Sequence, residues 1–306
     1  MKLRMRYLAT CLIAGIFGLT ACQNSDPPPA ASAPITVVKP SAFVTGVFAP
    51  GTPRSYAPIS AFATETGTKP HLILTYPGLD DFSATFASTV SANGQLPVMQ
   101  INPGNIRMSS ITKGGIDWWA NRYAMQVRAY GKPVVIGFAA EANGTWDQWG
   151  RGHTSPADWV AAWQHIVTVF RHDGANNVIW LWTINAVNLH ATRSSPQPWW
   201  PGASYVTWVG IDGYYYFPGE TWLSVFGATI TDIRTFTGKP ILISETSVSP
   251  SSAAPAQITE LYANARAAGV IGVIWSNTTM NKPPYHVRQG LAGDPAMLAA
   301  YRKAAK

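Results

Sequence analysis

Residues 131–170 read GKPVVIGFAAEANGTWDQWGRGHTSPADWVAAWQHIVTVF. The stretch begins with a short apolar run, Pro133–Phe138, whose lack of polar alternation is typical of a strand buried on both faces. A longer amphipathic run, Pro156–Phe170, predicts a helix. Ser155 is its predicted N-cap, and Asp158 stands at the third helical position. A buried strand followed by a loop and a helix predicts one β/α unit of a parallel sheet.

The same alternation of short apolar and longer amphipathic runs continues along the chain from residue 41. The predicted strands are Phe43–Phe48, Leu72–Tyr76, Pro97–Ile101, Pro133–Phe138, Val178–Trp182, Thr207–Ile211, Pro240–Ile243 and Val270–Trp275. The predicted helices are Ile116–Tyr130, Pro156–Phe170, Thr221–Phe236, Pro255–Ala268 and Pro295–Lys303. Eight strands that alternate with helices indicate a closed parallel barrel, which needs about 250 residues. We therefore expect residues 41–306 to form one α/β domain, a single (β/α)8 TIM barrel.

An open, doubly wound sheet is the alternative arrangement of these elements. In a dinucleotide-binding sheet of that kind, a GxGxxG turn would follow the first strand, but residues 48–55 read FAPGTPRS. The sequence contains no Walker-type loop either. The closed barrel is therefore the favoured prediction.

The composition excludes several classes of protein. The chain is 47% hydrophobic and only 12% charged, so it is expected to collapse rather than remain disordered. Its two cysteines are too few to frame 306 residues with disulfides. Its net charge is +7, but no run of Lys or Arg occurs outside the N-terminus, so nucleic-acid binding is not expected. Few charges and 13 Trp suit a protein that handles large, neutral, hydroxyl-rich molecules.

The chain has five glutamates, and two of them stand at predicted strand ends. Glu141 closes the fourth strand and Glu245 closes the seventh. Burying an unpaired carboxylate lowers the stability of the fold, so a carboxylate at such a place is expected to have a functional role. Glu65 and Glu260 are predicted to lie on helix surfaces, whereas Glu220 is predicted to begin a helix, where a carboxylate interacts favourably with the helix dipole.

The fourth and seventh strands face each other across the mouth of an eight-stranded barrel, where TIM-barrel active sites lie. Glu141 and Glu245 can therefore flank one scissile bond. One carboxyl group with a raised pKa and one ionised nucleophile form the arrangement of a glycosidase. The alternative is that each carboxylate forms a separate ion pair, but few cations lie near them in the sequence.

Several tryptophans stand where they could contact a sugar, whose C–H-bearing faces stack on indole rings. Trp146 and Trp149 follow Glu141, and Trp275 ends the eighth predicted strand. A tryptophan more often packs in a core than contacts a ligand. The strand-end positions of Trp146 and Trp275 favour a ligand contact instead.

Metal-dependent chemistry and catalysis by a serine nucleophile find little support in the sequence. The six histidines show no metal-binding spacing, and no GxSxG motif is present. We therefore expect neither a metal nor an organic cofactor. His153, in the loop after the fourth strand, is a further candidate for contact with a substrate.

The N-terminus reads as an export signal. Residues 1–21 combine a basic start with an apolar segment that is too short to span a membrane, and residues 19–22 read LTAC, like a bacterial lipobox. Cys22 is the predicted lipidation site, and the Pro- and Ala-rich residues 22–40 are a predicted tether. We expect a monomer anchored by lipid in the bacterial cell envelope, at the outer membrane or the cell surface. An ordinary signal peptide with a chance cysteine is the alternative.

Several stretches, spread over most of residues 111–277, resemble glycoside hydrolase family 26, whose members include β-mannanases and some β-glucan and β-xylan hydrolases. The matching stretches are ITKGGID, GKPVVIGFAAEANGTWDQWG, AAWQHIVTVFRHDGANNVIWLWTIN, YVTWVGIDGYYY, GKPILISET and GVIWSN.

The resemblance implies a (β/α)8 barrel and a retaining mechanism that needs no cofactor. By position, Glu141 matches the acid/base, Glu245 the nucleophile and Tyr214 the tyrosine that hydrogen-bonds the nucleophile. The residues predicted to bind the substrate are Asp212, Asn143, Trp146, Trp149, His153 and Trp275.

The sequence departs from the family pattern at two positions. The family usually has Arg where this chain has Gly137, and His where it has Ala140. The loss of these polar neighbours is expected to change the contacts at the reacting sugar and the pKa of Glu141. The leading hypothesis is a retaining endo-β-glycosidase acting on a β-mannan, β-xylan or β-glucan. A catalytically weakened polysaccharide-binding lipoprotein and a transglycosylase are the alternatives.

Overall fold

The computed structural model describes residues 39–188, 194–278 and 290–306. The predicted signal peptide, Cys22 and almost all of the tether lie outside these residues. Eight parallel strands pair in sequence order, and β1 pairs with β8 to close the barrel. The strands are β1 (Val44–Phe48), β2 (Leu72–Thr75), β3 (Leu96–Ile101), β4 (Val134–Phe138), β5 (Val178–Asn185), β6 (Trp208–Asp212), β7 (Ile241–Thr246) and β8 (Gly272–Ser276). The predicted single (β/α)8 barrel is confirmed.

Helices follow the strands and surround the barrel. They are α1 (Ala57–Thr66), α2 (Ala84–Ala92), α3 (Met108–Ile111), α4 (Asp117–Tyr130), α5 (Pro156–His172), α6 (Ala228–Phe236), α7 (Ala254–Ala267) and α8 (Pro295–Ala304). The Ser155 hydroxyl accepts a hydrogen bond from the backbone N–H of Asp158, which confirms the predicted cap of α5. None of the helices in the described part of the chain is both long and apolar enough to cross a membrane.

Three features of the helical layer differ from the sequence-based expectation, and the first is the one-turn helix α3, which was not predicted. Helix α2 was not predicted, because its sequence ATFASTVSA is rich in Ser and Thr, which have low helix propensity. The predicted helix Thr221–Phe236 begins instead with a π-helical turn, Leu223–Gly227, and becomes α-helical only at Ala228.

The strands are buried on both faces, as their apolar sequences predict. Alternate residues form two clusters. One consists of strand side chains inside the barrel, such as Leu74, Val135 and Leu242. The other joins strand side chains such as Ile136 to aromatic residues of the helices, including Trp119 of α4. Because the strands are parallel, their C-terminal ends meet at one rim of the barrel, and this rim carries the polar residues described next.

Candidate active site

Glu141 is positioned by a sharp turn at the end of β4. Ala139 and Glu141 both have left-handed backbone conformations, with φ of 49° and 59°. Such conformations cost of order 1–3 kcal/mol each for residues other than glycine and cluster at functional sites. The Glu141 N–H donates to the carbonyl of Thr183 on β5 at 2.9 Å, which holds the turn against the neighbouring strand.

Glu245 is positioned by an irregularity in β7. Ile211 pairs with Ile243 but Asp212 pairs with Glu245, so β7 contains one residue more than β6 over this interval. An extra residue in one strand bends the strand and changes the direction of its side chains. Ser244 and Glu245, which are consecutive, consequently both reach the rim: Ser244 bonds Asp212, and Glu245 lines the pocket there.

A pocket of about 230 Å³ opens at this rim. Its wall contains both glutamates, Glu141 and Glu245, together with Asp212, Tyr214 and Trp149. The sequence predicted all five as site residues, and the fold brings them together. Four further polar or aromatic residues line the same pocket: Tyr76, Gln100, Asn102 and Asp147.

Two donors hold the carboxylate of Glu141. The Asn185 side-chain amide donates to Oε1 at 2.6 Å, and the Trp146 indole N–H donates to Oε2 at 2.9 Å. Burial nevertheless raises the pKa of Glu141 to about 7, and the nearby charge of Asp147 adds to the effect, whereas the two hydrogen bonds oppose it. A carboxyl group that keeps its proton near neutral pH is suited to act as a general acid.

Glu245 accepts a short hydrogen bond from the hydroxyl of Tyr214. Burial raises the pKa of Glu245 to about 7, and the hydroxyl of Ser276 partly opposes this shift. Burial also raises the pKa of Asp212 well above its usual range, and the charge of Glu141 raises it further. With Asp147, four acidic groups thus share one small pocket, and the charge of Asp147 disfavours ionisation of Glu141, as the charge of Glu141 disfavours ionisation of Asp212.

Three predicted substrate-binding residues do not lie where the sequence placed them. Trp275 is 0% exposed and packs edge-on against Tyr301 of α8, between the barrel and its helices, so a sugar cannot reach it. Asn143 is buried, and its side-chain amide bonds both the backbone N–H and the carbonyl of Asn185. It is a positioning residue, because Asn185 in turn holds Glu141. His153 is exposed but lines a different cavity.

The described residues contain no cluster of three or more side chains suited to a metal ion. The polar groups of the pocket are instead carboxyl, amide and phenol groups. Carboxyl groups with raised pKa values and an exposed indole, that of Trp146, suit acid–base chemistry on a hydroxyl-rich substrate.

Residues 87–232 match the model of Glycosyl hydrolase family 26. This interval contains Glu141, and Glu245 lies in the next strand after it. By this match the barrel is similar to the family 26 glycoside hydrolases, and we call it the family 26 domain.

A curated relative supports the assignment. Endoglucanase H of Acetivibrio thermocellus is 30% identical over 271 residues, which cover 83% of this chain. The chain spans only 29% of the length of that relative.

Solved structures of the same family agree with the fold of the family 26 domain. A modular endo-β-1,4-mannanase from Cellulomonas fimi superimposes with a TM-score of 0.68 at 17% identity, covering 88% of this chain and 71% of that one. The catalytic domain of an endo-β-1,4-mannanase from Bacillus sp. JAMB-750 gives 0.64 at 15% identity, with 86% and 85% covered. At these identities the similarity concerns the fold alone.

Sequence reasoning missed Asn185, Tyr76 and Gln100 in the family 26 domain. Each lies at or near the C-terminal end of a strand, so a search for every polar or aromatic strand-end residue could have found them. Asn185 ends β5 and holds Glu141. Tyr76 follows β2 directly, is 39% exposed, and packs edge-on against Phe48, with ring centroids 5.0 Å apart.

A polar layer lies beneath the catalytic pocket. The Gln100 amide donates to the Thr183 hydroxyl at 2.5 Å, and the Ser244 hydroxyl donates to Asp212 at 2.5 Å. A Cβ atom at Gly210 would lie 2.5 Å from both hydroxyl oxygens. Glycine at this position therefore makes room for the two hydroxyl groups between β5 and β7.

The same polar layer explains why residue 137 is glycine, where the family usually has Arg. Gln100 of β3 pairs with Gly137 of β4, and its side-chain amide lies directly over the glycine. A Cβ atom at residue 137 would lie 1.9 Å from Oε1 of Gln100 and 3.0 Å from the carbonyl oxygen of Leu181. The space that a side chain at residue 137 would need is therefore filled by Gln100.

Gly137→Ala is expected to destabilise the family 26 domain by about 1–3 kcal/mol, because the added methyl group must displace the buried Gln100 amide. Chemical denaturation of the variant measures the loss. Gly238→Ala is the matched control, since a Cβ at residue 238 meets no atom within 4 Å. The cost of Gly137→Ala should also be smaller in a Gln100→Ala background. Equal costs for the two glycine variants would contradict this account.

Glu245→Gln is expected to stabilise the domain at pH 8 but not at pH 5. The folded-state pKa of Glu245 is raised from about 4.5 to about 7, so the folded state holds the proton more tightly and loses stability as pH rises through this interval. Removing the charge should raise the free energy of unfolding by about 2–4 kcal/mol above pH 7. Urea denaturation at both pH values tests this, with Glu65→Gln, outside the pocket, as the control. A gain of the same size at pH 5 would assign the effect to packing.

Proposed function

We propose that the chain is a retaining endo-β-glycosidase that cleaves a β-glycan through a covalent glycosyl-enzyme intermediate. The observation that carries this proposal is the pocket in which Glu141 and Glu245 lie together with Asp212 and Tyr214. Two carboxyl groups in one pocket, each with a pKa near neutrality, can supply one proton donor and one nucleophile.

In the first step, an ionised carboxylate oxygen of Glu245 attacks the anomeric carbon. The glycosidic C–O bond breaks, and the leaving oxygen takes the proton of Glu141. The Tyr214 hydroxyl donates to Oε1 of Glu245, which lowers the energy of the ionised form and orients the carboxylate.

In the second step, Glu141 is ionised and takes a proton from a water molecule. The water oxygen attacks the anomeric carbon, and the ester bond to Glu245 breaks. Asn185 and Trp146 hold the carboxylate of Glu141 by one hydrogen bond to each oxygen, so the same group is positioned for both proton transfers. A sugar hydroxyl in place of water would give transglycosylation.

Sugar stacking in this proposal is assigned to Trp146 and Tyr76. Trp146 is 48% exposed beside Glu141, and Tyr76 lines the pocket with its ring held by Phe48. Aromatic faces of this kind suit the C–H-bearing faces of pyranose rings. Asp212, Gln100 and Asn102 offer hydrogen-bonding groups to the sugar hydroxyls in the same pocket.

The proposed substrate class is a β-mannan, β-xylan or β-glucan, and β-glucan is the first choice. This preference rests on the 30% identity to an endoglucanase over 83% of this chain. The proposed place of action is the bacterial cell envelope, with the chain anchored by lipid at Cys22. That part of the proposal rests only on the sequence of residues 1–22.

The test is a product assay of the full chain with mixed-linkage β-glucan, β-mannan and β-xylan. Release of oligosaccharides from one polymer, with the β-anomer formed first in the NMR spectrum, would support a retaining endo-acting hydrolase. Glu245→Gln controls for contaminating activity. If no polymer is cut but one retards the chain in an affinity gel, the polysaccharide-binding alternative replaces the proposal.

A further inference from the structure

A second cavity, larger than the catalytic pocket, lies beside it at the same rim. Its volume is about 400 Å³, against about 230 Å³ for the catalytic pocket. Residues 105–109, from the loop after β3 into the start of α3, form one wall. The opposite wall comes from Gln148, from residues 153–155 before α5, and from Asp158 in its first turn. We call it the side cavity.

One short segment separates the two cavities. Asp147 and Trp149 line the catalytic pocket, whereas Gln148 between them lines the side cavity. The Trp149 indole N–H donates to the carbonyl of Ala140 at 2.7 Å, and the Gly150 N–H donates to the carbonyl of Asp147 at 3.0 Å. The shared wall is thereby tied to the turn that carries Glu141.

The lining of the side cavity is polar and contains one basic residue, Arg107, one acidic residue, Asp158, and His153. The carboxylate of Asp158 already accepts a hydrogen bond from the Ser155 hydroxyl at 2.7 Å. Arg107 and His153 are exposed, and their side chains form no hydrogen bond or ion pair within the described residues. A guanidinium group is matched in shape and charge by a carboxylate, to which it can donate two parallel hydrogen bonds.

We propose that the side cavity binds an acidic sugar, a uronate unit carried as a side group on the glycan. Arg107 would pair with its carboxylate, while His153 and Gln148 would bond its hydroxyl groups. This inference rests on the proposed function for its link to catalysis. Because Glu141 protonates the leaving oxygen and lies on the loop that forms the shared wall, the side group belongs to the leaving-group side of the cleaved bond.

Binding of sodium D-glucuronate and of D-glucose to the full chain, measured by NMR titration, tests the inference. We expect glucuronate to bind about tenfold more tightly than glucose, and Arg107→Ala to remove this difference. Arg54→Ala, which removes another exposed arginine in the loop after β1, should change neither affinity. Equal binding of the two sugars, or glucuronate binding that survives Arg107→Ala, would overturn the proposal.

The Glu245→Gln variant separates this proposal from the proposed function. It should lose turnover of the polymer and keep the Arg107-dependent binding of glucuronate. If no polymer is cut but glucuronate still binds through Arg107, the side cavity stands and the hydrolase function fails. If a polymer is cut and glucuronate binds no better than glucose, the hydrolase stands and the side cavity proposal fails.

Discussion

Under the proposed function, Glu245→Gln is expected to lower kcat on the polymer substrate by about 10⁴-fold or more, the scale on which the loss of a covalent nucleophile acts in enzymes. The amide of Gln has nearly the shape of the carboxylate, so the Tyr214 hydroxyl can still donate to the side-chain oxygen at residue 245. The variant is therefore expected to fold and to bind the glycan. Only the formation of the bond to the anomeric carbon is lost.

Initial rates of reducing-end release measure this effect, together with glycan affinity in a gel as a test of folding. Tyr214→Phe is the informative companion variant, since it removes one hydrogen bond to Glu245 and leaves the nucleophile in place. Its loss should be much smaller than that of Glu245→Gln. If Glu245→Gln retained more than a few per cent of the activity, Glu245 would not be the nucleophile and the assignment of the pocket would have to change.

Glu141→Gln is expected to lower kcat/KM on the polymer by about 10²–10⁴-fold, the usual contribution of a general acid. The Asn185 amide can still donate to the side-chain oxygen of Gln, but Gln supplies no proton to the leaving oxygen. An aryl glycoside with an acidic leaving group needs no such proton in the first step. The loss on an aryl substrate should therefore be much smaller than the loss on the polymer.

Added azide distinguishes the two glutamates. In Glu141→Gln, azide can attack the glycosyl-enzyme without a general base, so it should restore turnover and give a glycosyl azide of the same anomeric configuration as the substrate. In Glu245→Gln, no glycosyl-enzyme forms, and an azide product would have the inverted configuration. The same inverted product from Glu141→Gln would exchange the roles assigned to the two residues.

The pH dependence of kcat/KM tests the roles proposed for Glu141 and Glu245. The proposed mechanism requires Glu245 ionised and Glu141 protonated, and burial raises both pKa values to about 7. The kcat/KM of the wild type should therefore form a narrow bell near pH 7 whose limbs belong to the interacting pair. In Glu141→Gln, with an aryl substrate, the fall on the alkaline side should disappear.

The order of elements was predictable because it depends on local patterns. Apolar runs without alternation identified all eight strands, and the intervening amphipathic runs indicated a barrel. Glu141 and Glu245 could be singled out because a carboxylate after a buried strand is costly without a purpose. Glu220 shows the limit of such reasoning, because it does not begin a helix: its carboxylate accepts the backbone N–H groups of Tyr216 and Phe217.

Side-chain direction at the strand ends was not predictable. A strand buried on both faces shows no hydrophobic alternation, so nothing in GVIWSN reveals that Trp275 points to the helices rather than to the cleft. Asn143 was misassigned for a related reason. An amide two residues after an acid can face the substrate or the backbone of a neighbouring strand, and only the position of β5 decides between them.

The sequence by itself determined the parallel barrel, the two glutamates at its rim and the resemblance to family 26, because each follows from short stretches of neighbouring residues taken in their order along the chain. The tertiary structure alone decided how those residues act together. The extra residue in β7 lets Ser244 and Glu245 both reach the rim, and Gln100 from β3 fills the space above Gly137 of β4. These features depend on register and packing between strands that are distant in sequence, which no local pattern contains.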